Sequence, residues 1–203
     1  MGTSAALGTA LARALLAWHG AEPSPDRVLA AAAEVERFFH GNPSGIDHTV
    51  TALEQPVWFE KGRAPRPLEG LPRLELVVLP RRASASTRNL VDGVRDRIVE
   101  EPGLARTVAE LGRWTREGHE AWSAGRMAGL GAAMDAQMLG LDRLGVVLDI
   151  DRDGVEAARA AGALGAKITG AGGGGTLLAL ATGEAADRVL EALGESAFVV
   201  TVG

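Results

Sequence analysis

The amino-acid sequence predicts a mixed α+β chain, and three observations carry that expectation. Apolar residues recur at helical spacing through the first forty positions and again between Thr87 and Leu144. Short apolar runs of strand length stand at residues 74–79, 166–169, 176–181 and 198–202. A stretch with three prolines and two glycines, residues 62–73, separates the two groups and reads as a link between lobes. The expected division is therefore 1–65 and 66–203, which suits a 203-residue chain of one large or two small domains.

The elements follow in order. A first helix is expected from Ser4, with Leu7, Leu11, Ala14, Leu15 and Trp18 forming one buried stripe. Gly20, Pro23 and Pro25 end it. Asp26 can cap a second helix running to about Phe39, with Val28, Ala31, Ala32, Val35, Phe38 and Phe39 facing inward and Glu36 and His40 on a different face. The turn-rich Gly41-Asn42-Pro43-Ser44-Gly45 leads into a short helical turn and a strand near residues 56–60. The second lobe opens on the buried strand at residues 74–79. Helices over 87–100, 104–124 and 127–144 follow, then one near 154–161, strands at 166–169 and 176–181, a helix over 184–193 and a last strand at 198–202. Helices layered on one face of a small sheet make this α+β.

Composition removes several kinds of chemistry. No cysteine means no disulfide, no thiolate metal site and no cysteine nucleophile, and it fits the reducing cytoplasm. A formal net charge of −5 argues against nucleic acid, whose phosphates demand clustered Lys and Arg. Only Lys61 and Lys167 are lysines, so few catalytic amines exist. There is no basic segment ahead of an apolar stretch at Met1 and no run of about 18 apolar residues, so neither targeting nor a membrane span is expected.

Three segments carry more than fold information. Gly2-Thr3-Ser4-Ala5-Ala6 opens a helix, where unpaired N–H groups and the helix dipole favour a phosphate, although such a start is also an ordinary cap. Glu36 leads into His40-Gly41-Asn42-Pro43-Ser44-Gly45-Ile46-Asp47, a stiff glycine-bounded loop with a carboxylate at its far end. A helix C-terminus followed by a turn and a new N-cap explains the same spacing equally well. His40 and His48 suggest a metal pair, but too few further ligands stand near for zinc. The third segment, Lys167-Ile168-Thr169-Gly170-Ala171-Gly172-Gly173-Gly174-Gly175, lies between two strands. Consecutive glycines weaken a strand, so they imply close approach of backbone to something: a ligand phosphate, or a packed helix. The segment is neither a Walker loop nor a dinucleotide fingerprint.

Together these segments resemble the second and third conserved motifs of the GHMP small-molecule kinases, and His40 to Asp47 has the form found in the mevalonate kinase branch. Ser86-Thr87-Arg88-Asn89-Leu90-Val91 is similar to a helix start in that family's C-terminal lobe, and Met134-Asp135-Ala136-Gln137 to a later segment. The resemblance spans residues 2–182. It implies an N-terminal nucleotide- and phosphate-binding lobe remnant in 1–65 and a ferredoxin-like C-terminal lobe in 66–203. It also implies ATP and Mg²⁺, with mevalonate as acceptor. By the same resemblance Asp47 matches the catalytic base, and Ser4 and Glu36 match the metal ligands. Gly2, Thr3, Ser4 and Ala5, with Gly170, Ala171, Gly172 and Gly173, match the phosphate-binding backbone. His40, Asn42, Ser44 and Thr87 match the acceptor side.

The family's second motif extends upstream of Met1, and the lysine that pairs with its aspartate has no counterpart here. The expectation is an N-terminally truncated chain. Three alternatives stand beside it: a non-catalytic binding or assembly remnant, which could pair as a homodimer through an exposed helix face, a phosphomevalonate kinase and a homoserine kinase.

Overall fold

The computed structural model describes residues 2–40, 44–81 and 87–202, with the side chains of Phe39 and His40 outside the description. Packing divides the chain into two units, Met1–Gly70 and Leu71–Gly203.

Among the described residues the first unit is built from three helices, α1 (Thr3–Trp18), α2 (Pro25–His40) and α3 (Ile46–Leu53), and a two-residue ribbon of β1 (Val57–Trp58) and β2 (Arg66–Pro67). Small residues make the α1 interface. Ala5, Gly8, Thr9 and Ala12 are its buried positions, at the i, i+3, i+4, i+7 spacing of one helical face. A Cβ on Gly8 would lie 3.1 Å from Val35 Cγ1, so α2 approaches α1 where a side chain is missing. Ala12, Val28 and Ala52 form the core, supported by Leu16, Leu29 and Ala31. Outside it, Arg13 pairs with Glu54, the residue that ends α3 at φ +54°.

The expected α1 stripe is therefore corrected. Leu7, Leu11, Leu15 and Trp18 are exposed, Leu7 by 64% and Trp18 by 85%. The neighbouring helices within the unit pack on the small face, because that face lets helix axes come closer. The α2 stripe shifts likewise. Val28, Ala32 and Glu36, spaced by four, are buried, whereas Phe38 is exposed. Glu36 thus belongs to the buried face and not to a separate one. The short turn expected before residue 56 is a full eight-residue helix, and the Pro-rich link contains the ribbon strand β2.

The second unit holds a four-stranded antiparallel sheet of β3 (Leu74–Leu79), β4 (Gly165–Ile168), β5 (Leu177–Leu180) and β6 (Phe198–Val202) in the order β4-β5-β3-β6. That order is the ferredoxin-like split arrangement. Where such a fold usually has one crossover helix there are four among the described residues: α4 (Thr87–Glu100), α5 (Leu104–Ser123), α6 (Met127–Arg143) and α7 (Asp149–Ala160). α8 (Glu184–Leu193) precedes β6. The α+β class stands, and the helical cover extends beyond the one face expected. Val77, Leu177 and Ala179 pack with Ala158, Ala186 and Val189 of α7 and α8. The alternate positions Leu74, Leu76, Leu178 and Leu180 pack with Trp122, Met127, Leu130 and Met134 of α5 and α6. The indole of Trp122 donates to Pro72 O at 2.6 Å.

Here too glycines set the approach of elements. A Cβ on Gly131 would lie 2.1 Å from Leu164 O, and one on Gly165 2.2 Å from Gly131 O, so α6 meets the start of β4 backbone to backbone. Asp135, one turn on, accepts from Ala166 N at 2.9 Å and pairs with Arg159. The helix expected near 154 begins five residues earlier, at Asp149, because the Asp151 carboxylate accepts the N–H of Leu148 at 3.1 Å and anchors the first turn.

Gly131→Ala is expected to destabilise the chain by about 3 kcal/mol, since the clash is with backbone that has no rotamer to yield. Urea unfolding followed by circular dichroism measures it, and Gly93→Ala, in open space, is the control.

Candidate active site

The candidate site of the first unit forms where the start of α1, the end of α2 and the start of α3 meet. Gly2 precedes α1 at φ +55°, and no side chain caps the first turn. The leading N–H groups of α1, those of Thr3, Ser4 and Ala5, lie at the positive end of the helix dipole. A Cβ on Gly2 would stand 3.9 Å from both Cβ and Cγ of Asp47. Asp47 itself is exposed, in the first turn of α3. Its placement depends on Gly45, which turns the chain at φ +96°. A side chain there would meet Phe59 Cζ at 2.9 Å. Thr49 Oγ1 donates to Gly45 O at 2.7 Å and Thr51 Oγ1 to Asp47 O at 2.7 Å, so two threonines brace this turn from inside the helix.

Glu36 is only 5% exposed. It follows Val35, the residue that touches Gly8, and Ser4 lies four residues, about 6 Å of helix rise, before Gly8. Glu36 and Ser4 thus occupy the same end of the α1–α2 pair as Asp47. His48 is the residue sequence reasoning missed. It is buried beside Glu36 and Asp47, its charge is sensed by both carboxylates and by Arg37, and Nδ1 has no hydrogen-bond partner among the described residues. Burial lowers its pKa from the usual 6.5, against the raising pull of Glu36 and Asp47. The sequence marked it only as one half of an incomplete metal pair, because its orientation depends on α3 being a full helix.

The other expected residues fall as follows. Thr3 is exposed and Ser4 half-buried, while the Ala5 side chain is fully buried in the helix interface, leaving only its backbone for a ligand. Ser44 is exposed, and its Oγ lies 3.4 Å from Ile46 N. Asn42 and the side chain of His40 lie outside the described residues. Thr87 is exposed at the start of α4, in the second unit.

Gly170, Ala171, Gly172 and Gly173 form the β4–β5 hairpin loop, also in the second unit. Gly170, Gly172, Gly173 and Gly174 all have positive φ, between 73° and 97°, which L side chains rarely adopt. Within the unit the close approach is to the α6–α7 connection: a Cβ on Gly172 would lie 2.3 Å from Val146 O. Gly173 N donates to Val146 O at 2.9 Å and Gly174 N to Asp151 Oδ2 at 3.2 Å. No acceptor among the described residues takes the N–H groups of Gly170, Ala171 or Gly172. A groove between α6 and α7, lined by Asp135, Met138, Asp142, Arg152 and Arg159, holds none of these residues, and its arginines are paired with Asp142 and Asp135.

The donor set suits magnesium and does not suit zinc. Ser4 and Glu36 offer hard oxygen ligands, and Mg²⁺ is commonly held by one or two such groups with water and phosphate oxygens completing the shell. Among the described residues there is no group of three His, Asp or Glu side chains able to hold a metal by themselves.

A helix start with no side-chain cap beside a carboxylate suits phosphate, and so, in the other unit, does a glycine hairpin on a ferredoxin-like sheet. Family models agree: the GHMP kinase N-terminal domain matches residues 1–55 and the GHMP kinase C-terminal domain residues 115–199. The chain belongs to the GHMP kinase family. Among its relatives are the mevalonate kinases of Thermococcus sibiricus and Pyrococcus furiosus, 38% and 37% identical over 89% of this chain. A solved structure of the L. major mevalonate kinase in complex with R-mevalonate superposes with a TM-score of 0.91 at 26% identity, over 99% of this chain and 65% of that one. The chain spans about half the length of the curated relatives, 56% and 55% of these two. No helix among the described residues is long and apolar enough to cross a membrane.

Because the folded pKa of His48 is depressed, the fold favours the neutral ring. Its contribution to stability is present above pH 6.5 and is lost as the pH falls from there through the lower folded value. Calorimetric melting is expected to fall between pH 7.5 and pH 5, and His48→Gln to flatten that fall.

Proposed function

We propose that the chain is part of an ATP-dependent kinase of the mevalonate kinase type, transferring the γ-phosphoryl group of ATP to the 5-hydroxyl of mevalonate. The observation that carries this reading is the placement of Asp47 beside the uncapped start of α1, with Gly2 admitting the approach at 3.9 Å. Phosphoryl transfer needs alignment and charge neutralisation more than covalent help. The N–H groups of Gly2, Thr3, Ser4 and Ala5 would cradle phosphate oxygens, and Gly170, Ala171, Gly172 and Gly173 are proposed as phosphate-binding backbone of the second unit. Ser4 and Glu36 would hold Mg²⁺, which when bound offsets charge on the β- and γ-phosphates. Asp47 would accept a hydrogen bond from the mevalonate hydroxyl and take its proton as the new O–P bond forms and the β–γ bridging bond breaks, with ADP leaving. A carboxylate is a weak base toward an alcohol, so that proton leaves late and much of the role of Asp47 is alignment.

His40, Asn42, Ser44 and Thr87 are proposed on the acceptor side. In this proposal residues 1–65 make the nucleotide- and phosphate-binding lobe and 66–203 the C-terminal lobe. The absence of cysteine suits a cytoplasmic setting. Pairing of two copies as a homodimer through an exposed helix face belongs to the alternative of a binding or assembly remnant and is checked by light scattering.

A coupled assay with mevalonate, ATP and Mg²⁺ tests the proposal. Asp47→Asn is expected to lower kcat roughly 10²–10⁴-fold, the usual range for losing a positioned acid–base group, while binding of an ATP analogue measured by calorimetry changes little. Unchanged turnover in Asp47→Asn would remove the assigned role. Glu36→Gln is expected to raise the Mg²⁺ concentration needed for half-maximal rate without altering the mevalonate requirement.

A further inference from the structure

We propose that Asp151, neutralised by Arg81, is a positioning residue that holds the glycine hairpin of residues 170–174 in its donor geometry. The hold rests on geometry within the second unit, and its consequence for nucleotide rests on the kinase reading above.

Asp151 is fully buried although it stands in the first turn of α7. Its Oδ2 accepts two backbone N–H groups, Leu148 at 3.1 Å and Gly174 at 3.2 Å. The first bond is an ordinary helix cap. The second joins the carboxylate to a hairpin loop 23 residues away, and a cap alone does not require it. On its other side Oδ1 faces Arg81 Nη2 at 3.6 Å. Arg81 comes from just beyond β3, is itself only 15% exposed, and donates from Nη1 to Ile150 O at 2.7 Å. Gly154 makes room for it, since a Cβ there would lie 3.1 Å from Nη2.

Physical reasons make each partner necessary. A loop of glycines with positive φ has no side chains to fix it, so its shape must be imposed by acceptors outside it, here Val146 O and Asp151. A carboxylate is the stronger of these acceptors, because its hydrogen bonds are charge-assisted. A bare buried anion directly behind a loop that offers N–H groups to phosphate would also repel the ligand, and Arg81 removes that repulsion. The pair therefore supplies a strong acceptor without a net negative field.

The Asp151→Leu/Arg81→Met double variant tests this, since it exchanges the pair for apolar side chains that can keep the packing while taking away the acceptor of Gly174. Three quantities are read: thermal melting, hydrogen exchange at the Gly174 amide without ligand, and binding of the nonhydrolysable analogue AMP-PNP with Mg²⁺. Melting is expected within a few degrees of the parent, with Gly174 exchanging about tenfold faster while the β5 amides stay protected, and AMP-PNP binding about tenfold weaker. Unchanged protection at Gly174 would overturn the hold. Lost protection with unchanged affinity would overturn the positioning role. Should the double variant not fold, Asp151→Asn carries the test. It keeps an oxygen acceptor and leaves the charge of Arg81 uncompensated, so AMP-PNP affinity is expected to equal or exceed that of the parent, and a tenfold loss refutes the proposal. A parent chain that binds no AMP-PNP would count against the kinase reading alone, because Gly174 exchange still decides the hold.

Discussion

Backbone approach at positions that lack a Cβ is the constraint on which both units depend. Gly8 lets α2 settle on α1 beside Val35, and Gly131 and Gly165 bring α6 against β4 with no side chain between them. In α5 and α6 the same device recurs, with Gly118 against Ala133 and Gly140 against Trp114. Each close approach increases dispersion contact and excludes water from neighbouring hydrogen bonds, and each makes the geometry intolerant of a single added carbon. The functional groups inherit that precision. Asp47 stands beside α1 because Gly45 turns the chain beneath it and Gly2 leaves space before it.

The candidate site unites two kinds of polar group that are costly to bury. Glu36 sits on the buried seam of α2 with Val28 and Ala32, and a carboxylate persists in such a place only where hydrogen bonds or a cation compensate it. His48 shares that surrounding and is held toward its neutral form by burial. In that form the imidazole adds no positive charge to the field of Glu36 and Asp47. In the second unit the buried carboxylate of Asp151 is compensated by a guanidinium, which keeps the field behind the glycine hairpin close to neutral.

Much of this was legible from residue order, and the misses share a cause. The helices and strands of the second unit follow the apolar periods closely, since their sheet buries both faces and the alternation of Leu74, Leu76 and Val77 reports it. The orientation of α1 was misread because periodicity identifies a stripe by size and hydrophobicity, whereas α1 packs through Ala5, Gly8, Thr9 and Ala12. Phe38 was misassigned and Glu36 misplaced for the same reason: a charged residue on a seam is invisible to a hydrophobic pattern. The start of α7 was missed because its signal is Asp151 reaching back to Leu148, a local bond that resembles an ordinary acidic turn in sequence.

What residue order alone determined is the catalogue of chemistry: oxygen ligands and no thiols, a glycine-bounded turn ahead of Asp47, and a glycine hairpin without side chains, because these follow from which atoms the residues carry. The tertiary structure decided which of those atoms meet. It set Gly2 against Asp47, buried His48 beside Glu36, and tied Gly174 to Asp151 and thence to Arg81. Such contacts join positions tens of residues apart and arise from the packing of whole helices, which no local pattern of side chains encodes.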